Sequence, residues 1–156
     1  MKTDDSIIKL KNRYEIFRKK YKLPDFEKIN AEFDLYRLKH LTLKSICDCI
    51  FDKLIMIKDN LRTILEPNES IHSIVESKSF AKEEIDHMVE FYKKIYMVLH
   101  QIAYTVLEDE KTQAQFIKEF WREWPEIKEK QKKILKRMID VWKNLKVEKF
   151  SERYVQ

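Results

Sequence analysis

The sequence predicts an all-α fold: an antiparallel helical bundle of four to five main helices with one or two short connecting helices. Three observations carry that expectation: apolar residues recur in alternating steps of three and four, helix breakers stand between those stretches, and the 156-residue chain contains no glycine. An average chain of this length holds roughly ten glycines. Hairpin turns of types I′ and II′ lean on glycine, so its absence counts against an antiparallel sheet. A bundle tolerates it, because asparagine or water can close helix ends.

The elements follow in order. Ile7, Leu10, Tyr14, Phe17 and Tyr21 form the first stripe, which Leu23-Pro24-Asp25 ends. Asp25 then opens a short helix with Phe26, Ile29 and Phe33 on one face. Leu43, Cys47, Ile50, Leu54, Ile57, Leu61 and Ile64 form the second long stripe, closed by Glu66-Pro67-Asn68. A short turn or helix through Ile71, Ile74 and Val75 leads to Ser77 or Ser79, either of which can cap the third long helix. That helix carries Ile85, Met88, Tyr92, Ile95, Leu99, Ile102 and Val106, with Glu83 and Glu84 near its positive end. Glu108-Asp109-Glu110 is the next corner. Phe116, Ile117, Phe120, Trp121 and Trp124 make an aromatic helix, and Pro125 marks a restart or a kink. A last helix is expected from about Glu126 to Leu145, with Ile127, Ile134, Met138, Val141, Trp142 and Leu145 inward. The tail from Val147 to Gln156 is short and expected to be loosely held.

Hydrophobic residues are 44% of the chain and charged residues 38%, a balance suited to strongly amphipathic helices around one core. Without a repeat or a linker, residues 1–156 are expected to form a single domain. No secretory signal is evident at the amino terminus, and the apolar runs Ile46–Ile57 and Ile95–Leu107 are too short and too interrupted to span a membrane. Cys47 and Cys49 point to different sides of one helix, which forbids an easy disulfide. These features suit a reduced, cytoplasmic setting.

Three phrases carry a likeness: Lys22-Leu23-Pro24-Asp25-Phe26 with Ala31-Glu32-Phe33; Leu65-Glu66-Pro67-Asn68; and Phe116-Ile117-Lys118-Glu119-Phe120 leading to Glu123-Trp124-Pro125. Together they resemble small lysine-rich helical proteins of archaea whose function is unknown. The resemblance implies a cytoplasmic helical protein and assigns no activity and no functional residue.

Few residues suggest chemistry. Phosphate-cradling loops, dinucleotide turns and nucleophile elbows need glycine, so their usual forms are excluded. Glu69 to His72 and Glu84 to His87 have the Glu-x-x-His spacing of di-iron bundles, but the expected inward partner acids are missing, and surface roles are the simpler reading. His100, between Tyr96 and Tyr104 at helical spacing, is expected to be a hydrogen-bonded core residue rather than a proton-transfer group. Cys47 is expected in the core and Cys49 off the seam. No catalytic residue, metal site, cofactor or small-molecule substrate is assigned.

Surfaces offer more. Residues 1–22 and 126–156 each carry a net charge of +5, which leaves −5 on residues 23–125. On the last helix Lys128, Lys132, Lys136 and Lys143 fall within a sector of roughly 80°, opposite the inward stripe, with Lys133 and Arg137 beside them. Such a ridge can neutralise backbone phosphates, which makes these six residues the candidate nucleic-acid site and RNA or a ribosome a possible partner. On the first helix, basic side chains flanking the stripe suit a bundle helix better than a membrane surface. Trp121 and Trp124, one turn apart, are the candidate partner-binding pair, although core packing with one ring partly exposed is the favoured reading of their spacing. The sequence therefore points to a non-enzymatic module for protein–protein interaction or self-association, with a nucleic-acid or ribosome-associated factor using the basic terminal helices as the alternative.

Overall fold

The computed structural model describes residues 3–146, which fold into six α-helices and one short 3-10 turn. They are α1 (Asp4–Tyr21), α2 (Phe26–Phe33), α3 (Leu43–Leu65), α4 (Ile71–Lys78), α5 (Lys82–Thr105) and α6 (Glu110–Lys143), with the 3-10 turn at Leu35–Arg37 between α2 and α3. Four helices are long and two are short connectors, as the breakers indicate. The tail beginning at Val147 lies outside the described residues.

The core is built on α3, whose Ile46, Cys47, Ile50, Leu54, Ile57, Leu61 and Ile64 are all buried. Helix α5 returns along it and presents Met88, Ile95, Leu99 and Ile102 to the same interior. Helix α6 then runs antiparallel to α5, as the ion pairs Lys94–Glu123 (2.7 Å) and Arg137–Glu84 (3.0 Å) register. At the other side α1 and α2 close the core through Tyr14 and Phe26, whose rings meet edge-on at 5.2 Å. Helix α2 docks on α6 by placing Phe33 against Trp124 (4.9 Å) and Phe120 (5.8 Å).

Two sequence expectations about helix ends are corrected. Neither Ser77 nor Ser79 caps α5: their hydroxyls donate back to the Ile74 and Val75 carbonyls at the end of α4. The start of α5 is held instead by Glu84, which accepts from the Ala81 N–H at 2.7 Å. More consequentially, Pro125 does not divide the last segment. Residues 110–143 form one 34-residue helix rather than an aromatic helix followed by a separate basic one. Proline removes one N–H and frees the Trp121 carbonyl. Pro125 faces solvent, however, while Phe120, Trp124 and Ile127 on either side of it are buried, so the core carries one continuous helix through the proline and the restart does not occur.

Without glycine, two helix ends adopt left-handed backbone at ordinary residues, Lys22 (φ 57°) and Asp34 (φ 51°). At the first of these the Leu23 N–H reaches back to the Arg18 carbonyl, and the Leu23 side chain is buried, a Schellman-type closure. A side chain in this conformation costs about 1–2 kcal/mol, against which glycine's greater unfolded-state entropy offsets roughly 0.5–1 kcal/mol. Lys22→Gly is therefore expected to stabilise the fold by about 0.5 kcal/mol or more. Urea unfolding should show a higher midpoint at unchanged slope; a lower midpoint would mean that the Lys22 side chain contributes more than its backbone strain costs.

Candidate interaction surfaces

The buried titratable groups are structural. Cys47 and Cys49 are both buried, so Cys49 lies in the core and not off the seam as its spacing suggested. Burial pushes the Cys47 thiol from its ordinary 9.0 up to about 12. Burial also raises Cys49, partly opposed by the Arg37 guanidinium beside it. Tyr14 is raised by burial as well, and its hydroxyl donates to the Pro24 carbonyl at 2.7 Å, fixing the turn between α1 and α2. His100 corrects another expectation. It is exposed, its Nδ1 lies 2.8 Å from the Tyr96 carbonyl oxygen on its own helix, and its ring lies 5.8 Å from that of Tyr96.

Of the Glu-x-x-His pairs, Glu84 is engaged by the Ala81 N–H and by Arg137, which hold its carboxyl below the usual range. Among the described residues, no three His, Cys, Asp or Glu side chains converge in a metal-binding arrangement. No helix among them is long and apolar enough to cross a membrane.

The six basic candidates on α6 divide into two groups. Lys128 pairs with Glu32 at 2.6 Å, Lys132 with Glu129 at 3.2 Å, and Arg137 with Glu84 while also donating to the Ser79 carbonyl and lying over the Phe80 ring. Burial works against ionisation of Glu32, but Lys128 and the nearby Trp124 indole N–H outweigh it and hold its carboxyl low. That N–H approaches without reaching hydrogen-bond geometry. Lys133, Lys136 and Lys143 make no ion pair with a carboxylate among the described residues. Trp124 is only 4% exposed and wedged against Phe33, and Trp121 is half-buried beside it. Position 124 therefore offers no ring face to a partner and belongs to the core, while Trp121 keeps part of its ring at the surface.

Two surfaces stand out that sequence reasoning passed over. The first is the outer face of α5. From Ile95 to Leu107 there is no Lys, Arg, Asp or Glu, and while Ile95, Val98, Leu99 and Ile102 face inward, Tyr96, Met97 and Tyr104 face solvent, as does Leu107 in the turn just after the helix. Tyr104 is 64% and Leu107 83% exposed. The signal was present: this stretch carries no charged residue on either face, although His100 and Gln101 interrupt its outer one.

The second is on the last turns of α6. Apolar residues come there in doublets, Ile134-Leu135, Met138-Ile139 and Val141-Trp142, which make a stripe too broad for one seam. Val141 is buried and Ile134 and Met138 are half-buried, whereas Leu135, Ile139 (56%) and Trp142 (41%) remain exposed. Trp142, expected inward, is held at the rim by its Nε1, which donates to the buried Glu76 carboxylate at 3.0 Å. The lysines therefore lie beside an exposed apolar stripe rather than across the helix from every apolar residue.

The thiols test the core assignment directly. Neither cysteine should react with Ellman's reagent at pH 8 in the folded protein, and both should react once denaturant is added. Because the folded Cys47 keeps its proton well above 9.0, its contribution to stability is intact below that pH and is lost as pH rises toward about 12. Rapid labelling of the native protein would contradict the buried placement. In comparisons with known proteins, no family model matches this chain, and no curated protein or solved structure is detectably similar to it.

Proposed function

We propose that this protein is a non-enzymatic helical module that binds other protein surfaces, and that the outer face of α5 is its principal contact. The observation that supports this reading is the charge-free segment Ile95–Leu107, which exposes Tyr96, Met97, Tyr104 and Leu107 in addition to burying its inner face. Apolar residues scattered singly over a surface need no explanation. Several along one helix face, with no charge between them, are what an interface core requires, and tyrosine and methionine are enriched in such cores. The chemistry described above is consistent with a binding role: the buried thiols are neutral, and Glu32, Glu84 and Glu123 are engaged by lysines, arginines or backbone N–H groups, Glu76 by the Trp142 indole.

A second reading, nucleic-acid binding through α6, draws on Lys133, Lys136 and Lys143, which no described carboxylate neutralises. Exposed ion pairs such as Lys132–Glu129 are worth little and could give way to phosphate. The apolar stripe beside these lysines favours a protein ligand over a phosphate backbone.

Replacing Met97 and Tyr104 together by glutamate places charge on the α5 face without disturbing the core. Light scattering after size exclusion, and affinity capture from native extract, should show a stoichiometric assembly with the unaltered chain that the double variant loses at unchanged helicity. An unaltered chain that is monomeric and captures nothing, or an assembly indifferent to both substitutions, would refute the α5 interface.

A further inference from the structure

The second half of α6 forms one wall of a shallow trough. Its floor is Leu135, Ile139 and Trp142, all on α6, and Met56 of α3, 64% exposed, flanks it beside Leu135. The trough deepens toward the middle of α6 into a cleft of about 210 Å³ between α2, α3 and α6. Along the solvent edge run Lys132, Lys136 and Lys143, each roughly 60–100° around the helix from Leu135. Residues 128–143 as a whole carry seven basic and two acidic side chains. The steps of four and three from 135 to 139 to 142 are the repeat that a second helix, lying at a shallow angle, fills with its own side chains.

We propose that this trough receives an acidic amphipathic helix of a partner protein, whose apolar residues seat on Leu135, Ile139 and Trp142 and whose carboxylates meet the lysine edge. Charge selects this occupant. A second copy of the chain would bring two positively charged strips together in either orientation, which penalises self-pairing here. A bilayer requires apolar side chains that protrude. Here Trp142 is tied down through Glu76, and Leu135, 39% exposed, stands out less than Ile139. RNA would use the lysines but has no need of the aliphatic floor between them. This surface is separate from the outer face of α5, so either assignment can fail without the other.

The test uses the full chain and a fluorescein-labelled synthetic peptide of about five helical turns, with leucine at steps of three and four and glutamate beside them. Its counterpart carries lysine for every glutamate. Mixed-sequence single-stranded RNA and vesicles containing phosphatidylserine serve as competing probes. The glutamate peptide should bind saturably and at least about tenfold more tightly than the lysine peptide, and binding should weaken as salt rises from about 50 to about 300 mM. Ile139→Asp, at an exposed position, should cost about tenfold or more. Lys136→Glu combined with Lys143→Glu should reverse the preference toward the lysine peptide, a gain that misfolding cannot produce. Equal binding of the two peptides, binding of neither, or a charge reversal that abolishes RNA or vesicle binding while leaving the peptides unaffected would overturn the proposal.

Discussion

The continuity of α6 is the constraint on which the rest of the molecule depends. Its first turn is tied to α1, where the Glu110 carboxylate accepts from the Tyr21 hydroxyl at 2.6 Å and pairs with Lys20 at 3.1 Å. Those two contacts hold Glu110 below the usual carboxylate range. Its middle turns supply Ile117, Phe120, Trp124 and Ile127 to the core and receive Phe33 from α2. Its last turns reach α4 and the start of α5 through Trp142 and Arg137. At about 1.5 Å per residue, a single rod of this length outruns the helices it packs against. It thereby touches both ends of the bundle.

That continuity explains why the molecule has unpartnered apolar surface. A helix that stopped at Pro125 and restarted could turn its second half and bury Leu135 and Ile139 along with Ile134 and Val141. A rod held in register by Phe120, Trp124 and Ile127 cannot rotate, so only one side of each doublet finds the core. On α5 the pairing with α3 fixes Ile95, Leu99 and Ile102 inward, which obliges Tyr96, Met97 and Tyr104 to face out. Both candidate surfaces are thus what remains apolar after the best interior packing has been chosen.

Much of this architecture was legible in the chain. The stripes on α1, α3 and α5, the connector Phe26–Phe33, the turn at Pro67 and the Asp109 corner all appear where spacing and breakers place them, and the Asp109 carboxylate accepts from the Thr112 N–H at 2.9 Å. The errors share one physical source. Pro125 was read by its local propensity, yet buried Phe120 and Trp124 before it and Ile127 after it carry the helix past a single lost hydrogen bond. Cys49 was placed by assuming one inward face per helix, and His100 by assuming that the apolar stretch around it is buried on every side. Near the start of α3, where Leu35, Leu41 and α2 surround it, the helix buries residues on more than one side, whereas toward the end of α5 it buries only one. Trp124 illustrates the same point: its spacing fitted a platform or a core, and only the placement of Phe33 decides between them.

The most direct test is the distance between nitroxides attached at Gln115→Cys and Lys136→Cys, both exposed positions on α6, with the buried native cysteines left in place. Pulsed electron spectroscopy should return a single narrow distribution near 30 Å, the length of unbroken helix between them at about 1.5 Å per residue. A broad or markedly shorter distribution would show that the chain hinges at Pro125, and the account of both its core and its exposed surfaces would then be wrong.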